Sequence, residues 1–559
     1  MAVTITRHMA TIGGERQVHY RRAGSGSPII LLHQSPNSSQ EYIPLIEDLA
    51  KEYTVFAPDT PSNGLSDSLP IDSPTMTDFA QNAADLMDVL GIEKCPVYGF
   101  HTGAVCALEM SWRHPEKVTV GVVNGYVNMP EDVVADILDN YFTPLEYNWS
   151  GSHLTWTWAR FREQLIFFPW FKTDVASRMN YDVPGPQHLQ TAVIEFLRSG
   201  PDYRKPYRAA FTQDGTASVT EMKTNCIIMS PKTDVLAEGL DRMPTPSNFV
   251  TVRRPDTGDD AIEILKQALK DNPSPKPAPA VAKTKPVPGK IWGEYVQVGG
   301  GSLYCRRNTD GEGRPILFIH SSIASSFSMD RYMEPLIGKR PVLAIDLPGN
   351  GESENPMGDL TVEKQASFLA EAIHALGYDD VDVFGHWGGG AVAVELAVQH
   401  PDLVMHVAVP NIMAMELNGQ ALDDMSAKYT PDIPFDDYGG HWIFAWNMLR
   451  DQELFSPWHE RKESNILRHA EPDIAPEVIQ RRTLDLFKCY DIYKAAYKAH
   501  FGYPMSERLP KVTCPLLLGC PDSASTKRAV AAGPADYIVK DLPSEHEGVA
   551  GAVLEFFDS

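Results

Sequence analysis

Short, uninterrupted apolar runs alternate along the chain with longer amphipathic stretches. IILLH (29–33), TVFAPD (54–59), CPVYGF (95–100), VTVGVVN (118–124) and NCIIMS (225–230) lack the in–out alternation of a half-exposed strand. Such runs predict strands covered on both faces, as in a parallel sheet. Between them, the apolar spacing of MTDFAQNAADLMDVLG (76–91) predicts a helix closed by its glycine, since a left-handed residue commonly ends a helix. Strand–helix alternation of this kind predicts an α/β domain with right-handed crossovers.

The pattern occurs twice. IILLHQSPN around His33 returns as ILFIHSSIA around His320, and VFAPDTPSNG around Asp59 returns as VLAIDLPGNG around Asp346, each 287 residues later. CPVYGFHTGA around His101 returns as DVFGHWGGGA around Trp387, and CIIMSPKTD as CPLLLGCPD, at offsets of 286 and 288. A nearly constant offset over two hundred residues means a duplicated domain. Between the copies lies NPSPKPAPAVAKTKPVPGK (272–290), whose prolines favour extended chain over helix or sheet. The expected layout is therefore a first domain at 1–271, a linker at 272–290 and a second domain at 291–559. Each domain carries a helical, aromatic-rich insertion after its sixth strand, at about 128–221 and 413–506, that reads as a lid.

Composition narrows the class. With 49 basic against 73 acidic residues the net charge is −24, a surface that repels nucleic acid and anionic membrane. No stretch approaches the ~20 apolar residues of a membrane span. The opening MAVTITRHMATIGGERQ has no apolar core, so no signal peptide is expected. Seven scattered cysteines without CxxC spacing point to the reducing cytoplasm and away from structural zinc. No Walker loop, dinucleotide fingerprint or HExxH occurs, so no cofactor is expected. The expected partner is a small-molecule substrate, with the two domains paired within the chain and a homo-oligomer left open.

Gly99-Phe100-His101-Thr102-Gly103 and Gly385-His386-Trp387-Gly388-Gly389 each lie between a strand and a helix. They have the G-x-nucleophile-x-G form of a nucleophile elbow, where the turn is too tight for flanking side chains. With the HQSP and HSS loops, the D-x-P-x-N-G loops and the insertions, each half resembles the α/β-hydrolase superfamily. The likeness is nearest to the cap-bearing branch of haloalkane dehalogenases, epoxide hydrolases and C–C bond hydrolases. It covers almost the whole chain and implies two tandem α/β-hydrolase domains, each a mostly parallel sheet flanked by helices.

The departures from that family set the chemistry. The elbow position, Ser, Asp or Cys in the family, holds His101 in one half and Trp387 in the other. This excludes an acyl-serine mechanism on the elbow residue. The resemblance places the family's acid at Asp234 and Asp522. It places the base at His546 in the second half, where the first half has Gly258. One imidazole and one carboxylate thus remain in each half: His101 with Asp234, and His546 with Asp522. An Asp–His pair without a nucleophile suits water activation or proton abstraction near neutral pH.

The insertions share a polar pattern at offset 288. His153, Trp158 and Arg162 return as His441, Trp446 and Arg450. Trp158 and Arg162 are four apart on one helix face, where Arg162 and Arg450 could hold a carboxylate or carbonyl and His153 and His441 donate a proton. Gln34, Ser35, Ser321 and Ser322 on the loops after the first long strand, with Thr102 and Trp387 at the elbows, complete the expected substrate contacts. His33 and His320 read as structural.

The leading expectation is a cofactor-independent enzyme cleaving a small, partly hydrophobic ester, lactone or ketonic C–C bond. It would use His101, Asp234 and His153 in one half and Asp522 and His546 in the other. Three alternatives stay open: a non-catalytic ligand-binding scaffold; a lyase, decarboxylase or isomerase; and a metal site of His101, Asp234 and one of Asp256, Asp259 or Asp260.

Overall fold

A computed structural model of the chain describes residues 3–356, 358–468, 471–533 and 536–559. Two compact units emerge, one of Met1–Glu146 with Trp156–Lys285, the other of Tyr147–Thr155 with Pro286–Ser559. The Pro-rich segment is therefore divided. Its first part lies along the first unit, with Ala278 N–H donating to Gly26 O (3.1 Å) and Thr284 Oγ1 to Met9 O (3.0 Å). The boundary between the units falls after Lys285, inside the segment 272–290.

The first unit holds an eight-stranded sheet. Its strands are β1 (Ile5–Ile12), β2 (Arg16–Ala23), β3 (Pro28–Leu32), β4 (Thr54–Pro58), β5 (Cys95–Phe100), β6 (Val118–Asn124), β7 (Asn225–Met229) and β8 (Val250–Arg253), in the order β1-β2-β4-β3-β5-β6-β7-β8. The β1–β2 hairpin joins β4 antiparallel and every other pairing is parallel. The five residues of β3 are all buried. Ile30 and Leu32 pack on one face with Phe79, Met87 and Met110, while Ile29 and Leu31 pack on the other with Ile46, Leu265 and Leu269. Helices on both faces thus explain why the run is apolar at every position. The helix Met76–Leu90 is opened by a Thr75/Asp78 capping box and closed by Gly91 at φ 74°.

The second unit repeats the plan with β9 (Trp292–Val298), β10 (Gly301–Asn308), β11 (Ile316–Ile319), β12 (Val342–Ile345), β13 (Val381–Gly385), β14 (Val404–Val409), β15 (Leu516–Leu518) and β16 (Tyr537–Val539). The sheet order is the same, read from the other edge. Both sheets leave the carboxyl ends of their parallel strands open to loops. The elbows leave β5 and β13, and the helical insertions join β6 to β7 and β14 to β15. No helix among the described residues is long and apolar enough to cross a membrane.

Candidate active site

Both elbows have the strained backbone of their motif. His101 sits at φ 48°, ψ −110° and Trp387 at φ 50°, ψ −114°. Positive φ is costly for non-glycine residues, so the turn is imposed by its surroundings. In the first unit a Cβ on Gly99 would stand 1.9 Å from Gly103 O, and one on Gly103 would stand 1.9 Å from Leu32 O. The glycines let the strand, the helix Thr102–Arg113 and the neighbouring strand meet in backbone contact.

His101 turns its ring toward β7. Its Nε2 lies 2.9 Å from Asp234 Oδ2, and Asp234 Oδ1 accepts the Leu236 N–H at 2.8 Å. The imidazole is 25% exposed and Asp234 only 7%. Burial works against the Asp234 carboxylate, but the His101 ring and the Leu236 N–H outweigh it and hold its pKa below the usual range. The ring stacks on Phe100 with centroids 4.0 Å apart. Its Cδ2–Nε2 edge lies against Gly125, where a Cβ would stand 2.2 Å from Cδ2. With Nε2–H directed to Asp234, the lone pair resides on Nδ1, on the opposite edge of the ring, with no protein hydrogen bond among the described residues. In a Ser-His-Asp triad the carboxylate meets Nδ1–H; here it meets Nε2.

The surroundings correct several expectations. The backbone N–H of Gln34 does not face a reacting oxygen: it donates to Glu41 Oε1 (2.9 Å), and Gln34 Nε2 and Asn37 Nδ2 donate to Glu41 Oε2 (3.1 and 2.6 Å). Burial pushes the Glu41 carboxyl above its ordinary range. Sequence reasoning misses Glu41, although Ser328 at the matching position makes it a visible asymmetry between the copies. Thr102 is buried at the first turn of its helix, where backbone N–H groups lack intrahelical acceptors. Ser35 is buried, with its Oγ unpaired among the described residues. His33 donates from Nδ1 to Gln34 O (2.8 Å) and accepts the Thr60 N–H at Nε2 (2.8 Å), a purely structural use of both nitrogens. The metal set of His101, Asp234 and one further carboxylate does not converge: Asp256 pairs with Lys232, Asp259 is exposed and Asp260 caps Thr257. No cluster of three or more metal-ligating side chains occurs among the described residues.

The insertion histidines have a local task. His153 accepts the Asn148 N–H at Nδ1 (3.1 Å) and donates from Nε2 to Gln480 Oε1 (2.7 Å) within the second unit. His441 likewise accepts at Nδ1 the N–H five residues before it, from Asp436 (3.3 Å). Each closes the turn before an insertion helix, which explains why the pair repeats, and His153 belongs to the second unit. Trp158 is 1% exposed and belongs to the insertion core. Arg162 points outward, 39% exposed beside Glu163, and Arg450 is half-buried. The arginine turned inward in the first insertion is Arg160.

The second unit does not assemble the expected pair. Asp522 is fully exposed, 3.6 Å from Lys527. His546, first residue of the helix His546–Phe557, accepts from Arg331 Nη1 at 3.0 Å, and Arg331 is ion-paired with Asp473. Burial first, and then Arg331, bring the His546 pKa down to about 4. Trp387 is 39% exposed at its elbow. Ser322, expected to touch substrate, is instead buried, with its Oγ 2.6 Å from His500 Nδ1; His500 Nε2 donates to Gln365 Oε1 at 3.1 Å. Ser321 is half-buried, and its carbonyl accepts from His320 Nδ1 (2.7 Å).

The family model described as the alpha/beta hydrolase fold matches residues 27–146 and 314–433, once in each unit. A soluble epoxide hydrolase of Corynebacterium sp. is 37% identical over 119 residues, 21% of this chain and 41% of that protein. The dihydrolipoyllysine-residue acetyltransferase component of the acetoin cleaving system of Cupriavidus necator is 34% identical over 106 residues, 19% of this chain and 28% of that protein. The chain thus spans less than half the length of these curated relatives. Among solved structures, the enol-lactonase of Burkholderia xenovorans is 19% identical with a TM-score of 0.38, covering 47% of this chain and 100% of that one.

Proposed function

The chain is a tandem of two α/β-hydrolase-fold domains, and from that premise we propose that it is a cofactor-independent hydrolase whose reaction runs in the first domain. The substrate is a small, partly hydrophobic ester, lactone or ketone with a cleavable C–C bond. The observation that carries this reading is the His101–Asp234 hydrogen bond of 2.9 Å at an elbow whose imidazole is partly open to solvent.

His101 Nδ1 takes a proton from water as the water oxygen bonds to the carbonyl carbon and the carbonyl electron pair moves to its oxygen. Asp234 stabilises the imidazolium so formed. The Thr102 N–H, at the positive end of its helix, is the donor available to the developing oxyanion. Collapse of the tetrahedral adduct expels the alkoxide or enolate, which recovers the proton from His101. No covalent enzyme intermediate arises.

The second domain is read as a non-catalytic partner. Trp387 supplies no nucleophile, and the Arg331 hydrogen bond engages the Nε2 lone pair that His546 would need as a base.

The experiment is a turnover screen with p-nitrophenyl butyrate, γ-lactones and vinylogous β-diketones, using wild type, His101→Ala and His546→Ala. Turnover lost in His101→Ala and kept in His546→Ala is the expected result. The reverse pattern, or turnover unaffected by either change, overturns it.

A further inference from the structure

Arg160 lies on the helix Ser152–Gln164 of the first insertion and is 2% exposed. Five rings surround its guanidinium carbon, with centroids at 5.4 Å (Tyr141), 5.0 Å (Phe161), 5.5 Å (Trp170), 5.4 Å (Phe196) and 6.0 Å (Tyr203). Nη1 donates to Gln164 Oε1 at 2.8 Å. The Tyr141 and Tyr207 hydroxyls share the guanidinium's surroundings; burial raises both phenols, and Arg160 opposes that rise. Neither hydroxyl accepts from Nε or Nη2 with hydrogen-bond geometry: both nitrogens are buried without an acceptor among the described residues. No carboxylate pairs with Arg160 among those residues either. Ring faces attract a cation but do not accept two in-plane N–H groups. A buried charge lacking these partners is costly.

The two unanswered donors form one edge of the guanidinium. Nε–H and the adjacent Nη2–H point side by side, the geometry that receives both oxygens of a carboxylate.

The second insertion keeps three of the five rings, as Tyr429, Trp458 and Tyr493, with Leu449 and Leu484 in place of Phe161 and Phe196, and Trp458 Nε1 donates to Tyr429 O (3.0 Å) as Trp170 Nε1 does to Tyr141 O (3.4 Å). At the position of Arg160 it holds Met448, whose sulfur accepts the Tyr493 hydroxyl at 3.5 Å. A guanidinium still acts on Tyr429 and Tyr497 there, that of Arg482, whose Nη2 donates to Gln452 Oε1 (3.1 Å) and whose Nη1 pairs with the Glu453 carboxylate; at the position of Glu453 the first insertion has Leu165, so Arg160 lacks that partner.

We infer that Arg160 anchors the carboxylate of a small organic acid whose apolar body lies among the rings of the first insertion. The site is separate from His101 chemistry and stands whether or not His101 is a catalytic base. Its ligand class is a monocarboxylate with an aromatic or short aliphatic body.

The test is titration calorimetry with thermal denaturation on the full chain, using benzoate, phenylacetate and butyrate as probes and benzamide as the uncharged control. Saturable binding of at least one acid, a raised melting temperature and no response to benzamide are expected. Arg160→Met should weaken that binding at least tenfold; the second insertion already carries methionine at the matching position. Arg160→Lys, which keeps the charge and loses the paired donors, should also weaken it. His101→Ala should leave it unchanged, which separates this inference from the catalytic reading. The inference is overturned if wild type binds none of the three acids saturably. It is also overturned if Arg160→Met or, should that variant not fold, Arg160→Lys binds as tightly as wild type.

Discussion

Nε2 of His101 and Oδ2 of Asp234, 133 residues apart in sequence, meet at 2.9 Å and tie the elbow after β5 to the turn after β7. Asp234 stands where the resemblance to α/β-hydrolases expects an acid, and the imidazole that meets it stands on the elbow. The carboxylate selects the tautomer with Nδ1 unprotonated. Asparagine at 234 could donate its amide to Nε2 and favour the opposite tautomer. Asp234→Asn is expected to lower kcat by about 10²- to 10⁴-fold with little change in KM. Steady-state kinetics on the best substrate of the screen check this; a change confined to KM would assign Asp234 to substrate binding.

Gly125 sets where the imidazole can lie. A methyl group at this residue would approach His101 Cδ2 to 2.2 Å, and its φ of 83° is unfavourable for any other residue. Gly125→Ala should therefore push the ring off Asp234 and destabilise the fold by about 1–2 kcal/mol. Turnover should fall much further than that loss of stability explains. Parallel urea denaturation and kinetics distinguish the two, and retained turnover in a destabilised variant would show that the ring position is not critical.

The duplicated α/β architecture is legible in particular residues. Ile29–Leu32 are apolar at every position because helices cover both faces of β3, and the constant spacing between copies follows from a shared strand order. His101 and Asp234 can be paired from sequence because the family's acid position and the elbow glycines fix two ends of one hydrogen bond. The His546–Asp522 pairing fails for a physical reason. Asp522 lies on an exposed turn beside Lys527, and Arg331, which no motif marks, takes the imidazole instead. The repeated His153 and His441 invite a catalytic reading, yet a residue shared between copies serves a turn-closing hydrogen bond as readily as chemistry. The differences between copies, Glu41 against Ser328 and Arg160 against Met448, carry more information than the identities.

Acid should loosen the second domain before carboxylates titrate. Burial, then the neighbouring His320, lowers the His500 pKa to about 4. Between pH ~6.5 and 4 the unfolded chain binds a proton that folded His500 refuses, so stability falls as pH falls through that window. His500 alone accounts for about 2 kcal/mol between pH 7 and 5. Asp234 acts lower down: its carboxylate is held below the usual range, so its stabilisation is complete above that range and is lost as pH falls through the folded value. Urea midpoints at pH 7 and 5 should differ for wild type and differ less for His500→Gln. An unchanged difference in that variant would assign the acid sensitivity elsewhere.

Restoring an elbow serine in the second domain should not create an enzyme. Trp387→Ser would set a hydroxyl between His386 and Gly388 on a backbone already at φ 50°, the strained form that presents a nucleophile. A serine still needs a base that can take its proton. His546 accepts from Arg331 at Nε2 and lies apart from Asp522, and its pKa of about 4 makes it a weak base at neutral pH. Burial first, and then the charged Arg331 and the ring of His546, bring His386 down to about 3. In a His101→Ala background, Trp387→Ser should therefore show neither ester turnover nor labelling by a fluorophosphonate. Adding Arg331→Met frees the His546 nitrogen but leaves Asp522 exposed on its own turn, so labelling should rise only slightly. Rapid labelling of the Trp387→Ser variant would mean that the second domain retains a working base, and that the loss of its nucleophile alone separates it from an active hydrolase.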